Sequence, residues 1–223
     1  MRIDCMKQSN MYNSLLLSVI VQFITGIFEI SALFIKTAPK FLLLKQMMVL
    51  EVIVQMIEGS FYVYWLSHYT SIVNITPMRY YDWVITTPTM LINLICYLKF
   101  LQHTEQDFFE IIHDEFYTIS IILILNWLML LFGYLGERFI LPISASVLLG
   151  FIPFLIYYYI IYSNYVTDVG LPIFIYFLFF WAFYGVSAIL PYKLKNTGYN
   201  ILDLIAKNFF GIFLLYMIFT NKS

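Results

Sequence analysis

Asp203 and Lys207 lie four residues apart in the stretch ILDLIAKNFFGIFLLY, Ile201–Tyr216. On a helix they share one face, a single turn apart. The stretch is otherwise almost wholly apolar, and a charge at the centre of a bilayer costs roughly 2.5–3.5 kcal/mol on insertion scales. A lysine taken out of water can lose its proton and attack a carbonyl carbon, forming a Schiff base. A protonated Schiff base keeps one positive charge, which nearby carboxylates favour. Arg79 and Asp82, three residues apart in an earlier apolar run, offer a second pair of opposite charges. Schiff base and Arg79 against Asp82 and Asp203 would leave a neutral centre, which is how four charges can sit in an apolar core. The plainer reading of each pair is a structural ion pair that ties helices together.

The elements that must position these groups are membrane helices. Of the 223 residues, 62% are hydrophobic and only 11% are charged, which excludes a soluble domain of this size. Apolar runs of about 20 residues recur, the length that spans a bilayer. They are too long and continuous for barrel strands, so the fold class is an all-α membrane protein, a seven-transmembrane-helix bundle. The spans are Met11–Ile35, Phe41–Leu66, Met78–Phe100, Phe116–Leu135, Phe139–Tyr162, Leu171–Tyr192 and Tyr199–Phe219. Loops are short, so residues 1–223 are expected to form one domain. The first span is too long, and too interrupted by Gln22 and Glu29, for a cleaved signal peptide.

Charge does not orient the bundle. With the N-terminus outside, Lys36, Lys40, Lys45, Lys99 and Lys222 would be cytoplasmic, and Arg2, Lys7, Arg138, Lys193 and Lys195 outside, which is a tie. A net charge of −1 gives no sign of a nucleic-acid partner. Cys5 and Cys96 occupy different environments, so no disulfide is expected between them.

Other polar residues fall on helical stripes. Thr86 is one turn beyond Asp82, and Asn93 lies about three turns, ~16 Å, further along the same face. Glu51 and Glu58 are two turns apart on one face, with Gln55 between them. They are either acids lining a path or interior acids that are protonated and hydrogen-bonded. Glu29 reads as an acid that snorkels from the end of its span. Asn126 reads as a local helix contact, with a bond toward Thr87 as the alternative. The run HTEQDFFEIIHDE, His103–Glu115, reads as the solvated amphipathic entry to a helix rather than a divalent-cation site, and no metal centre is expected. Asn74-Ile75-Thr76 matches a glycosylation sequon, a pattern that often occurs by chance.

RYYDWVITTP, Arg79–Pro88, resembles the third helix of microbial (type 1) rhodopsins. DLIAK, Asp203–Lys207, resembles their seventh helix, and WAFYG, Trp181–Gly185, the sixth-helix side of their retinal pocket. The resemblance covers nearly the whole chain. It implies that Lys207 carries all-trans retinal as a Schiff base, that Asp82 is the primary counter-ion and Asp203 the second, and that Arg79 lies on their outer side. It also implies that Trp83, Thr87, Trp181 and Tyr184 line the polyene, where flat aromatic faces would pack closely, and that the N-terminus is outside.

The departures bear on function. Gly185 stands where the family has proline, and Ala188 where it has a pocket tryptophan. Asn93 occupies the place of a pump's carboxylic proton donor, and an amide cannot supply a proton of its own. No acid occurs between Asp168 and Asp203, where outer proton-release acids are usual; Lys193 and Lys195 are there instead. Asn208 directly after the retinal lysine, and second-helix glutamates at the spacing of Glu51 and Glu58, resemble channelrhodopsins. A stripe of carboxylates attracts cations, and the small size resembles compact viral rhodopsins. The reading is a photoreceptor acting as a light-gated cation channel, not an enzyme. Its partners would be retinal, transported protons or monovalent cations and the lipid bilayer; a homo-oligomer is allowed but not required. The alternatives are a light-driven outward proton pump and, more remotely, a transporter without a chromophore.

Overall fold

The computed structural model describes residues 2–102 and 105–221, with side chains from Asn10 onward. His103, Lys222 and the side chains of Arg2, Cys5 and Lys7 lie outside the described residues. The rest is a bundle of seven long helical spans. In order they are α1 (Arg2–Ala32), α2 (Leu42–Ser67), α3 (Thr76–Phe100), α5 (Phe116–Glu137), α6 (Ile143–Tyr165), α7 (Leu171–Ala188) and a seventh span in three parts. Those parts are α8 (Tyr192–Asp203), a π-helical turn (Leu204–Asn208) and α9 (Phe209–Thr220). A short α4 (Phe108–Asp114) links α3 to α5. Six spans are long and apolar enough to cross a membrane. The other, α2, has 26 residues, about 39 Å at 1.5 Å per residue.

Polarity is inverted relative to a soluble protein. Phe23 and Ile27 of α1 are exposed, whereas Ser18, Gln22, Thr25 and Glu29 on its other face are buried. Lipid accepts the apolar face without cost, so the polar groups must find one another inside. Four helices obey this constraint with a stripe each: Ser18, Gln22 and Glu29 on α1; Glu51, Gln55, Glu58 and Tyr62 on α2; Arg79, Asp82, Thr86 and Asn93 on α3; and Asn196, Asn200, Asp203, Lys207 and Asn208 on the seventh span. All are buried. The opposite side of the bundle, α5 to α7, packs mainly through aromatic and aliphatic side chains.

Several boundaries differ from the sequence reading, three of them for evident local reasons. Pro191 caps α8, so the sixth span stops at Ala188 and the seventh starts at Tyr192. Phe139 adopts a positive φ of 58° and Pro142 caps α6, so the fifth span starts at Ile143. Glu29 does not snorkel. It is buried, facing inward, because the last helix offers Gly211 there; a Cβ at Gly211 would overlap the Glu29 carboxylate. The described part of the run after His103 forms a capped link. Asp107 accepts from Glu110 N at 2.9 Å, the Glu110 side chain accepts from Asp107 N at 3.0 Å, and Glu115 pairs with Lys99 at 2.9 Å. Among the described residues no group of acids, histidines and cysteines is placed to hold a metal.

Broken backbone hydrogen bonds are repaired across helices. Pro88, inside α3, has no N–H to give the carbonyl four residues back. That carbonyl, Val84 O, accepts instead from Trp127 Nε1 of α5 at 2.9 Å. At the π turn, the Tyr176 hydroxyl of α7 donates to Ile205 O at 2.5 Å. Trp127→Phe should therefore destabilise the bundle by about 1–3 kcal/mol, the cost of a carbonyl left without a donor. In a Pro88→Ala background, which restores the N–H, the same change should cost measurably less. Unfolding in lipid micelles of both single variants and the double variant measures the difference.

Candidate functional site

The π turn places Lys207 where the four polar stripes meet. Turns of this kind widen a helix by one residue and often mark functional sites. Lys207 Nζ donates to Asp82 Oδ2 at 3.0 Å and lies 3.7 Å from Asp203 Oδ1. It also lies 3.4 Å from Glu58 Oε1. None of these four side chains is more than 3% exposed.

Each carboxyl has different company. Asp203 accepts from Tyr184 at 2.7 Å and from Tyr62 by a short bond, and it pairs with Arg79 at 3.4 Å. Asp82 has Lys207 on Oδ2, while no described side chain donates to its Oδ1; the Thr86 hydroxyl donates back to Asp82 O instead. Glu58 meets Lys207 at 3.4 Å and accepts no hydrogen bond from any other described residue. The sequence reading of a neutral centre of four charges therefore needs correction. Glu58 is a third carboxyl at the lysine, so two cations meet three acids, and neutrality requires one acid to hold a proton.

Arg79 anchors the end of the cluster nearer Asn196. It donates to Tyr62 at 3.1 Å, to Asn196 Oδ1 at 3.0 Å and to Asn200, and its guanidinium lies 4.9 Å from the centre of the Trp65 ring. Beyond it, Lys195 pairs with Glu137 at 2.6 Å. An acid is thus present at this end, supplied by α5 rather than by the segment before the seventh span.

On the other side of Lys207, Asn208 donates to Gln55 Oε1 at 3.2 Å and Gln55 donates to Gln22 O at 2.8 Å. One turn further along α2, Glu51 accepts from Asn93 at 2.6 Å. Glu51 and Glu58 share a helix face but occupy different settings, one at the amide of α3 and one at the lysine.

Lys207 also forms the polar end of a cavity of about 770 Å³, its mouth included. Trp83, Thr87, Trp181 and Tyr184 line it, together with Met90, Met129 and Phe154. Gly185 and Ala188 form part of its wall, and the Phe151 ring fills the space that a Cβ on Gly185 would need. Asn126 is not a local contact, since its amide donates to Thr87 Oγ1 of α3 at 2.8 Å. A slot with flat aromatic walls and one amine at its end suits a conjugated aldehyde.

The sequence reading missed Glu58 at the lysine, and Tyr62, Asn196 and Asn200 around Arg79. Two signals could have found them. Antiparallel neighbours joined by a short turn place residues equally far from the turn at one level, so Glu58 falls near Asp82 and Glu51 near Asn93. Tyr62, Asn196 and Asn200 lie at i±3 or i±4 steps from residues already singled out.

The bacteriorhodopsin-like protein family model matches residues 10–221. Among solved structures, the chain is similar to the viral rhodopsin OLPVRII at 27% identity and TM-score 0.83, over 96% of this chain and 99% of that one. It is similar in fold to a blue light-absorbing proteorhodopsin from Med12, at 21% identity and TM-score 0.75 over 94% and 97% of the two chains. The same holds for bromide-bound halorhodopsin from Halobacterium salinarum, at 13% identity and TM-score 0.75 over 98% and 97%. Comparison with curated proteins gives no match.

Arg79→Gln should destabilise the protein by about 3–5 kcal/mol, because it strands the Asp203 carboxylate in the core. Adding Asp203→Asn to it should recover part of that loss. Unfolding of the single and double variants in lipid micelles is the check.

Proposed function

Because this chain belongs to the bacteriorhodopsin-like family, we propose that it is a retinal-binding photoreceptor whose bundle opens a light-gated path for cations. The whole of residues 1–223 is read as one such domain, an integral multi-pass membrane protein with its N-terminus outside. Bound through its aldehyde carbon to Lys207 Nζ, retinal supplies light absorption and a light-driven change of shape. The residues fit that group: a single amine opens into an aromatic slot, with carboxyls only at the amine end.

The protein's own groups have separable tasks. Lys207 fixes the ligand. Asp82 and Asp203 balance the positive charge on its nitrogen, and Tyr62, Tyr184 and Arg79 hold Asp203 in place. Trp83 and Trp181 wall the slot and restrict which way the ligand can bend. The Asn126–Thr87 bond ties α5 to α3 beside it.

The observation that carries the channel reading is the continuous seam of buried polar groups between α1, α2, α3 and the seventh span. It runs from Asn196 and Arg79 past Glu58 and Lys207 to Gln55, Asn208 and Glu51. A seam of this kind needs only small side-chain shifts to admit a hydrated cation, and its carboxyls select for positive charge. One observation favours the second reading, an outward proton pump: the direct Lys207–Asp82 bond gives a proton on that nitrogen an acceptor.

The two readings differ in whether the path is ever open from side to side. Under voltage clamp with retinal present, the photocurrent should reverse sign, and the reversal potential should move with the sodium or proton gradient. Glu51→Gln should change current size or selectivity. A current that stays outward at all voltages would sink the channel reading and promote the pump.

A further inference from the structure

Glu29 has no role in the site described above, yet it is among the most enclosed acids in the molecule. It is 1% exposed, and neither of its oxygens accepts a hydrogen bond among the described residues. No cation pairs with it among the described residues; the last helix presents Gly211, and the ionisable group that faces it is Glu51 of α2. An isolated carboxylate in such a place would cost several kcal/mol, a cost that a proton on the group removes. Glu51 is better placed to carry charge. It accepts a 2.6 Å bond from Asn93, and its ionisable neighbours include the Lys207 cation as well as Glu29.

Between these two acids and Lys207 stand Gln22, Gln55, Asn93 and Asn208, all amides. Amides can orient water but have no proton to give at neutral pH. The carboxyls on this side are Glu51 and Glu29, brought in by α2 and α1.

We propose that Glu29 and Glu51 form the proton reservoir of this half of the bundle, with the resting proton on Glu29. The proposal rests on the retinal reading for its use: a nitrogen on Lys207 that has lost its proton must regain one. In that step the O–H bond of the reservoir breaks and an N–H bond forms at Lys207, leaving the pair with two negative charges. Their mutual repulsion draws the replacement proton from water at the near end of the bundle. The acid missing at Asn93 is thus replaced from the neighbouring helices, and Asn93 serves to hold Glu51 in position.

Two measurements test this on the full chain in lipid vesicles. Infrared spectra, taken with and without retinal, should show a buried protonated-carboxyl stretch from Glu29 in addition to that of the protonated acid at Lys207. Glu29→Gln should remove the Glu29 stretch, while Glu29→Asp and Glu51→Gln should keep it. After a flash, the return of the proton to the Lys207 nitrogen should slow roughly 10²-fold in Glu29→Gln, the usual contribution of a positioned proton donor. A permeant weak acid such as azide should restore the rate, which it would not do for a merely structural defect. Protonated-carboxyl intensity that is unchanged in Glu29→Gln, or a wild-type return rate in that variant, overturns the proposal. A wild type that gives no visible band with retinal overturns the retinal reading and the reservoir's use; the retinal-free spectrum would still decide where the proton sits.

Discussion

The ammonium of Lys207 must be neutralised in the middle of a bilayer, and the surrounding architecture follows from that requirement. Asp82 provides the direct partner at 3.0 Å, with Asp203 and Glu58 within 4 Å. Each acid in turn demands support. Asp203 takes it from two tyrosines and Arg79, and Arg79 then needs Asn196, Asn200 and the Trp65 ring. One charge thereby commits side chains on α2, α3, α7 and α8. Truncating any of them would leave another group buried without a partner, so the cluster is expected to behave as a unit rather than as a sum of pairs.

That commitment divides the bundle in two. Polar stripes gather α1, α2, α3 and the seventh span along a seam, while α5, α6 and α7 close the other side with rings and aliphatic chains. The ligand cavity lies at the join, with its amine on the polar side and its aromatic walls on the other. A change in the ligand's shape would thus bear on both at once: the rings that confine it and the acids that hold its charge.

Much of this was legible in the chain. Seven apolar runs give the seven helices, and the spacing of Asp203 with Lys207 and of Arg79 with Asp82 puts both pairs on inward faces. Ends were less legible, because Pro191 and Phe139 act through local backbone geometry that hydropathy does not register. The partners of Glu29 and Glu58 were hidden for a different reason. Helical periodicity shows which residues share a face, but not which face of a neighbouring helix they meet. Glu29 near a span end looked free to reach water; Gly211, far away in sequence, is what draws it inside. Glu58 was grouped with Glu51 by their common stripe, although of the two only Glu58 pairs with the lysine. Asn126 looked like a local contact, and its bond to Thr87 depends on α3 and α5 lying side by side.

The central claim is that Lys207 is the amine that takes retinal. Other lysines are engaged elsewhere: Lys195 with Glu137, Lys99 with Glu115, and Lys45 with the carbonyls of Leu33 and Ile35. The direct test is to add all-trans retinal to the purified protein, reduce any imine with borohydride, and map the added mass by peptide mass spectrometry. The account predicts one retinyl group on the peptide bearing Lys207, and a Lys207→Ala protein that folds but stays colourless and unlabelled. Label on another lysine, or a normal visible band in Lys207→Ala, would contradict it.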